Sequence, residues 1–170
     1  MTEDRHVAWG DCERIRPGLV GQPANTLTSL AFVAAAVPIV RWSRRPGRRA
    51  WRAVAAAAAF EGVGSVAYHG PGGRLSKRLH DVGLVALAVA AGGVARTDPA
   101  ALRPRPLASG LGVAAVALHA LSRTGRPLCS CRSRLPGHAV FHLLAAAALV
   151  AAAAPPRGTL HAGPRTEVGT

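Results

Sequence analysis

The run "PGHAVFHLLAAAALVAAAA", residues 136 to 154, decides how the rest of the chain is read. It contains no Asp, Glu, Lys or Arg. Its length approaches the roughly 20 mainly apolar residues that a helix needs to cross a bilayer. Near its start stand two histidines, His138 and His142, four positions apart. In a helix, positions four apart share a face and lie about 5–6 Å from each other. Two imidazoles stacked at the mouth of an apolar helix form a pair that can bind something.

Working outward, the chain holds other uncharged runs. Residues 17–40 carry no charge, and residues 53–73 carry only Glu61. Residues 82–95, 106–122 and 135–156 complete a set of five, the third reaching spanning length once the preceding "LHD" joins its helix. A soluble, alanine-rich bundle is the alternative, but a soluble helix shows charge along one face every three or four residues. These runs do not. The expected fold is all-α, an integral membrane helical bundle of about five transmembrane helices. The membrane domain covers 17–154, between a polar N-terminal segment (1–16) and a loose tail (155–170). The opening "MTEDRHVAWGDCERIRPG" is polar and partly acidic, unlike a cleaved signal peptide.

The formal charge of +13 would suit nucleic acid if it lay on one soluble face. Instead the basic residues cluster between apolar runs, as in "RWSRRPGRRAWR" (41–52). The seven aromatic residues (Trp 3, Tyr 1, Phe 3) do not interleave with them as a base-stacking surface requires. Nucleic acid is therefore excluded as a partner, and the bilayer itself is the expected one. Arginine-rich short loops tend to stay in the cytoplasm, so the 41–52 loop is expected there. The N-terminal side of the membrane then faces outward, in a multi-pass protein of a bacterial cell membrane.

Helix parity brings the polar residues together. With five spans, "WGDCER" precedes span one on the N-terminal side, "GSVAYHG" ends span two there, and "RLHD" opens span three there. Span four ends on that side, and span five begins there with "GHAVFH". His69, His138 and His142 can then supply three imidazole nitrogens to one zinc ion, with a fourth position left for water. Ser65 lies one turn deeper than His69, about 6 Å at 1.5 Å per residue. Asp81 opens the next helix. A structural metal or haem is the non-catalytic alternative, although haem ligands come from facing helices rather than from a close i, i+4 pair.

The ordered set "EGVGSVAYH", "RLHD" and "GHAVFH" resembles the signature of the alkaline ceramidase family, in a superfamily of membrane hydrolases that includes the adiponectin receptors. The shared pattern is Ser-x-x-x-His on one helix, Asp at the start of the next, and His-x-x-x-His on the last. "DCE" (11–13) and "QPANTLTSLAF" (22–32) resemble the family's N-terminal region, so the likeness runs from residue 9 to 154. The resemblance implies a zinc-dependent amidase cleaving ceramide or a related lipid amide, with hydrolysis of another lipid as the alternative. It assigns Zn2+ to His69, His138 and His142. Asp81 would orient or deprotonate a water, and Ser65 would donate a hydrogen bond to that water or to the developing oxyanion. Family members have seven spans, and five are counted here. Eukaryotic members bind Ca2+ through an acidic N-terminal cluster, the region in which Asp11 and Glu13 fall, although Gln22 stands where a later acidic residue is expected.

Two features remain. Glu61 shares a helical face with Ser65 and His69. It is expected to support the site from behind, to pair with His119, or to sit near the far headgroups. Cys12, Cys129 and Cys131 all fall on the outward side, where disulfides persist. A bridge from Cys12 to Cys129 or to Cys131 would tie the N-terminal segment over the site. A Cys-x-Cys metal site and unpaired thiols are the other readings.

Overall fold

The computed structural model describes residues 8, 10–98, 101 and 103–155, and the expected tail beyond 155 lies outside them. The described residues form five helices and no strands: α1 (Pro23–Trp42), α2 (Trp51–His69), α3 (Arg74–Thr97), α4 (Pro106–Leu121) and α5 (Gly137–Ala153). Each matches one apolar run, with two shifts. Helix α1 begins at Pro23 rather than at residue 17, because proline suits a first helical turn while residues 17–22 form bends. Helix α3 takes in the whole of "RLSKRLHD" and reaches 24 residues.

In space, α1 packs against α2 and α5, α2 against α3, and α5 against α4. The row therefore reads α3–α2–α1–α5–α4. Its core is thin, with Phe32, Ile39, Trp51, Val54, Val94 and Ala146 as main members. Close approach depends on small residues, as is usual between membrane helices. A Cβ on Gly64 would stand 3.1 Å from the His80 backbone nitrogen, and one on Gly83 would stand 2.9 Å from Glu61 Cα. These two glycines let α2 and α3 cross closely enough for their polar side chains to meet.

The far end is stapled by arginines. Arg48 Nη2 donates to the Ala153 carbonyl at 2.6 Å, and Arg105 Nη1 donates to the Ala154 carbonyl at 2.6 Å. Both cations thus satisfy the carbonyl end of α5, where the helix dipole is negative. Trp51 Nε1 donates to Asp98 Oδ2 at 2.9 Å, joining the start of α2 to the end of α3.

The outer faces are apolar and bare. Val85, Val89, Val113 and Val116 are each more than 60 % exposed, and α3 and α4 bury few of their residues. Apolar surface of this extent calls for an apolar surrounding. Helices α1 and α3 are long and apolar enough to cross a membrane, while α4 and α5 are shorter apolar helices.

Candidate metal centre

Three buried imidazoles converge at the N-terminal end of the bundle. His69 closes α2, while His138 and His142 fill the first turns of α5. Ring centroids are 5.1 Å apart for His69–His138, 5.2 Å for His69–His142 and 4.6 Å for His138–His142. One nitrogen from each lies within 4.8 Å of the other two. This spacing suits a single ion held by three neutral imidazoles.

Neighbouring side chains decide which nitrogens face inward. Gln22 Nε2 donates to the carbonyls of Ala8 (2.8 Å) and Glu13 (3.2 Å), so its Oε1 is turned to His69 Nδ1, 2.6 Å away. His69 Nδ1 therefore carries the proton and Nε2 is the ligand atom. Thr28 Oγ1 spends its own proton on the Ala24 carbonyl at 2.8 Å and accepts from His142 Nδ1 at 3.1 Å. His142 Nε2 then points inward, buried and without a hydrogen bond. Behind His138, Asp11 Oδ1 stands 3.7 Å from Nδ1, and both His138 ring nitrogens are buried without a hydrogen bond, so Gln22 and Thr28 are the hydrogen-bonding outer partners. Outer partners of this kind set the tautomer and basicity of metal-binding histidines.

Asp11 is held by Arg123, whose Nη1 is 3.7 Å from Oδ1, and by the Tyr68 hydroxyl. Burial raises its carboxyl above the usual range, with Arg123 and Tyr68 opposing. Ser65 is fully buried, and its Oγ lies 2.9 Å from Ser29 Oγ. Ser29 donates to the Asn25 carbonyl at 2.7 Å, so the Ser65 proton goes to Ser29. With its proton on Ser29, Ser65 presents lone pairs towards the centre.

Asp81 does not join the centre. Its side chain is 51 % exposed and bonds Lys77 Nζ at 2.6 Å, one turn back on α3. The reason is helical phase. His80 is the residue that α3 turns inward, and the next position is rotated away by about 100°. His80 Nδ1 lies 2.7 Å from Glu61 Oε1, and its ring stacks on Tyr68 at 4.9 Å. The partner of Glu61 is thus His80 rather than His119, and Glu61 is buried. His119 stands beside His138 and Phe141 instead, with centroids 5.3 and 4.8 Å away.

Asp11 and Glu13, the residues expected for calcium, have partners within the protein. Both Glu13 carboxylate oxygens accept backbone N–H groups of α1, from Ala24 and Asn25 at 2.8 Å each. Glu13 is therefore an N-terminal cap of α1, aligned with the helix dipole. Asp11 faces Arg123 and His138, and the amide nitrogens of Gln22 and Asn25 donate to the carbonyls of Glu13 and Asp11. Cys12 is bridged to Cys129, with Cα atoms 5.6 Å apart, one of the two pairings open from the sequence.

Sequence reasoning missed Gln22, Thr28, Ser29 and His80 as members of the site. A signal was present for three of them: "QPANTLTS" interrupts an otherwise apolar run with polar residues at 22, 28 and 29, of which 22 and 29 share one helical face. The fold and centre define a class, an all-helical bundle with a buried three-histidine group fit to hold a metal ion. No protein-family model, curated protein or solved structure matches the chain.

Proposed function

We propose that this protein is a multi-pass membrane hydrolase that uses zinc at His69, His138 and His142 to cleave the amide bond of ceramide or a related lipid. The observation that carries the reading is the convergence of three buried imidazoles whose outward nitrogens face Gln22, Thr28 and Asp11. Neutral nitrogen donors leaving a fourth position suit catalytic zinc. When bound, zinc would supply Lewis acidity toward an amide carbonyl and lower the pKa of a water.

The chain's own residues divide the remaining work. Glu61 Oε1 holds His80 Nδ1, and the His80 ring lies 6.3 Å from that of His69. A carboxylate–imidazole pair beside the centre is the arrangement for receiving a proton and returning it to a leaving amine. His80, rather than Asp81, holds that role in this proposal. Ser65 accepts a hydrogen bond from a water or from the substrate. Asp11 positions His138 from behind.

A lipid substrate is supported by the groove between α1 and α5. This shallow, open apolar depression of about 300 Å³ is lined by Ala31, Ala34, Ala35, Leu143, Ala146 and Val150, among others. It starts within a turn of Thr28 and His142, so an acyl chain laid there has its headgroup end at the imidazoles. The N-terminal side, with the centre, faces outward, because the arginine-rich loop between α1 and α2 stays in the cytoplasm.

Zinc content of the detergent-purified protein, measured with fatty-acid release from a ceramide panel, tests the proposal. One zinc per chain and release that stops on chelation are expected. Protein without metal overturns the zinc centre. Zinc-loaded protein that releases no fatty acid overturns the amidase and leaves a metal-binding membrane protein.

A further inference from the structure

The loop between α4 and α5 offers two cysteines, and the bridge uses one. Cys131, the exposed free thiol, has its Sγ 3.2 Å from Cys12 Sγ and 3.5 Å from Cys129 Sγ. Cys12 is 1 % exposed, so no thiol from solution reaches its sulfur directly. Cys131 opens a surface turn in which Ser133 N–H donates to the Ser130 carbonyl at 3.0 Å, and its sulfur flanks the bridge. Cys12 is also the one non-glycine among the described residues with a positive φ, 32°, a conformation L-residues disfavour. The bridge therefore holds strained backbone.

We propose that Cys131 is a thiol–disulfide exchange site through which redox partners of the glutathione class open the Cys12–Cys129 bridge, whose Cys12 end is buried and whose Cys129 end is half-buried. The Cys131 thiolate attacks Cys12 Sγ. A Cys12–Cys131 bond forms, the Cys12–Cys129 bond breaks, and Cys129 leaves as thiolate and takes up the proton that Cys131 gave up. No electrons are gained or lost in this step. The bridge now ends on the more exposed of the two loop cysteines. A glutathione thiolate attacks Cys131 Sγ, forming a mixed disulfide there and releasing Cys12 as thiolate. A second glutathione regenerates the Cys131 thiol and departs as glutathione disulfide.

The consequence reaches the histidines. The segment that Cys12 anchors also bonds the loop through Thr124 N–H to the Gly10 carbonyl (3.0 Å) and Arg14 N–H to the Cys131 carbonyl (3.2 Å). Its Ala8 and Glu13 carbonyls fix the Gln22 amide, and Gln22 fixes His69. Opening the bridge loosens the support of that imidazole, so the redox state of the outer face is coupled to the order of the centre.

The test uses the full chain in detergent, incubated with reduced glutathione, with Cys12 alkylation followed by mass spectrometry. Cys12 is expected to become alkylatable at least tenfold faster in wild type than in Cys131→Ser. A Cys12–Cys131 linked peptide should appear transiently in wild type, and Cys129→Ser should form that linkage outright. Equal rates in wild type and Cys131→Ser overturn the proposal. So does Cys129→Ser with both remaining thiols alkylatable, or protein isolated in air with three reduced thiols and a second bound metal.

Discussion

The side-chain oxygen of Gln22 stands 2.6 Å from Nδ1 of His69, across a sequence separation of 47 residues. The amide cannot turn over, because its nitrogen is bound to two backbone carbonyls. One residue of the N-terminal approach thus determines which nitrogen of a distant imidazole faces the centre.

Replacing Gln22 by Ala is expected to weaken metal binding about 10- to 100-fold, the usual effect of removing an outer partner of a ligand histidine. Chelator competition measures it. His142→Ala should abolish stoichiometric binding, while Gln22→Ala should only shift the competition curve. Unchanged affinity in Gln22→Ala would mean that the amide does not support the ligand.

Substitutions on α3 separate adjacent residues. His80→Gln is expected to keep the metal and lose turnover, and Asp81→Asn to keep both. The contrast follows from His80 facing buried Glu61 while Asp81 forms an exposed pair with Lys77, a kind of pair that contributes little. Assays of zinc content and fatty-acid release on both variants check it. Loss of release in Asp81→Asn alone would return the acid–base role to the carboxylate.

The close crossing of α2 and α3 predicts that Gly83→Ala destabilises the bundle. A Cβ there would press on the Glu61 backbone, which cannot swing aside as a side-chain tip can. Overpacking of this kind costs about 1–3 kcal/mol. A fall in the thermal midpoint is expected, whereas Gly93→Ala, with open space around it, should leave the midpoint unchanged or raised.

Membrane orientation is readable with an impermeant maleimide on intact cells. Cys131 is expected to label from outside. In a Cys131→Ser background, a cysteine placed at exposed Arg44 should label only after lysis. Labelling of Arg44→Cys in intact cells would reverse the topology.

The five apolar runs, the all-helical class and the pairing of His138 with His142 were legible in the sequence because they depend on local composition and a fixed helical period. Parity extended that reading to His69, since an even number of crossings returns the chain to the same face. The choice between His80 and Asp81 was not legible. Adjacent residues differ by about 100° around a helix, and only the packing of Gly64 and Gly83 determines which one α3 turns inward. The roles of Glu13, Gln22 and Ser65 were hidden for a related reason. Each depends on where a hydrogen-bond donor spends its proton, and those partners lie in chain segments that only the tertiary fold brings together. The choice of Cys129 over Cys131 for the bridge is likewise one of position in space, because only Ser130 separates the two cysteines in sequence.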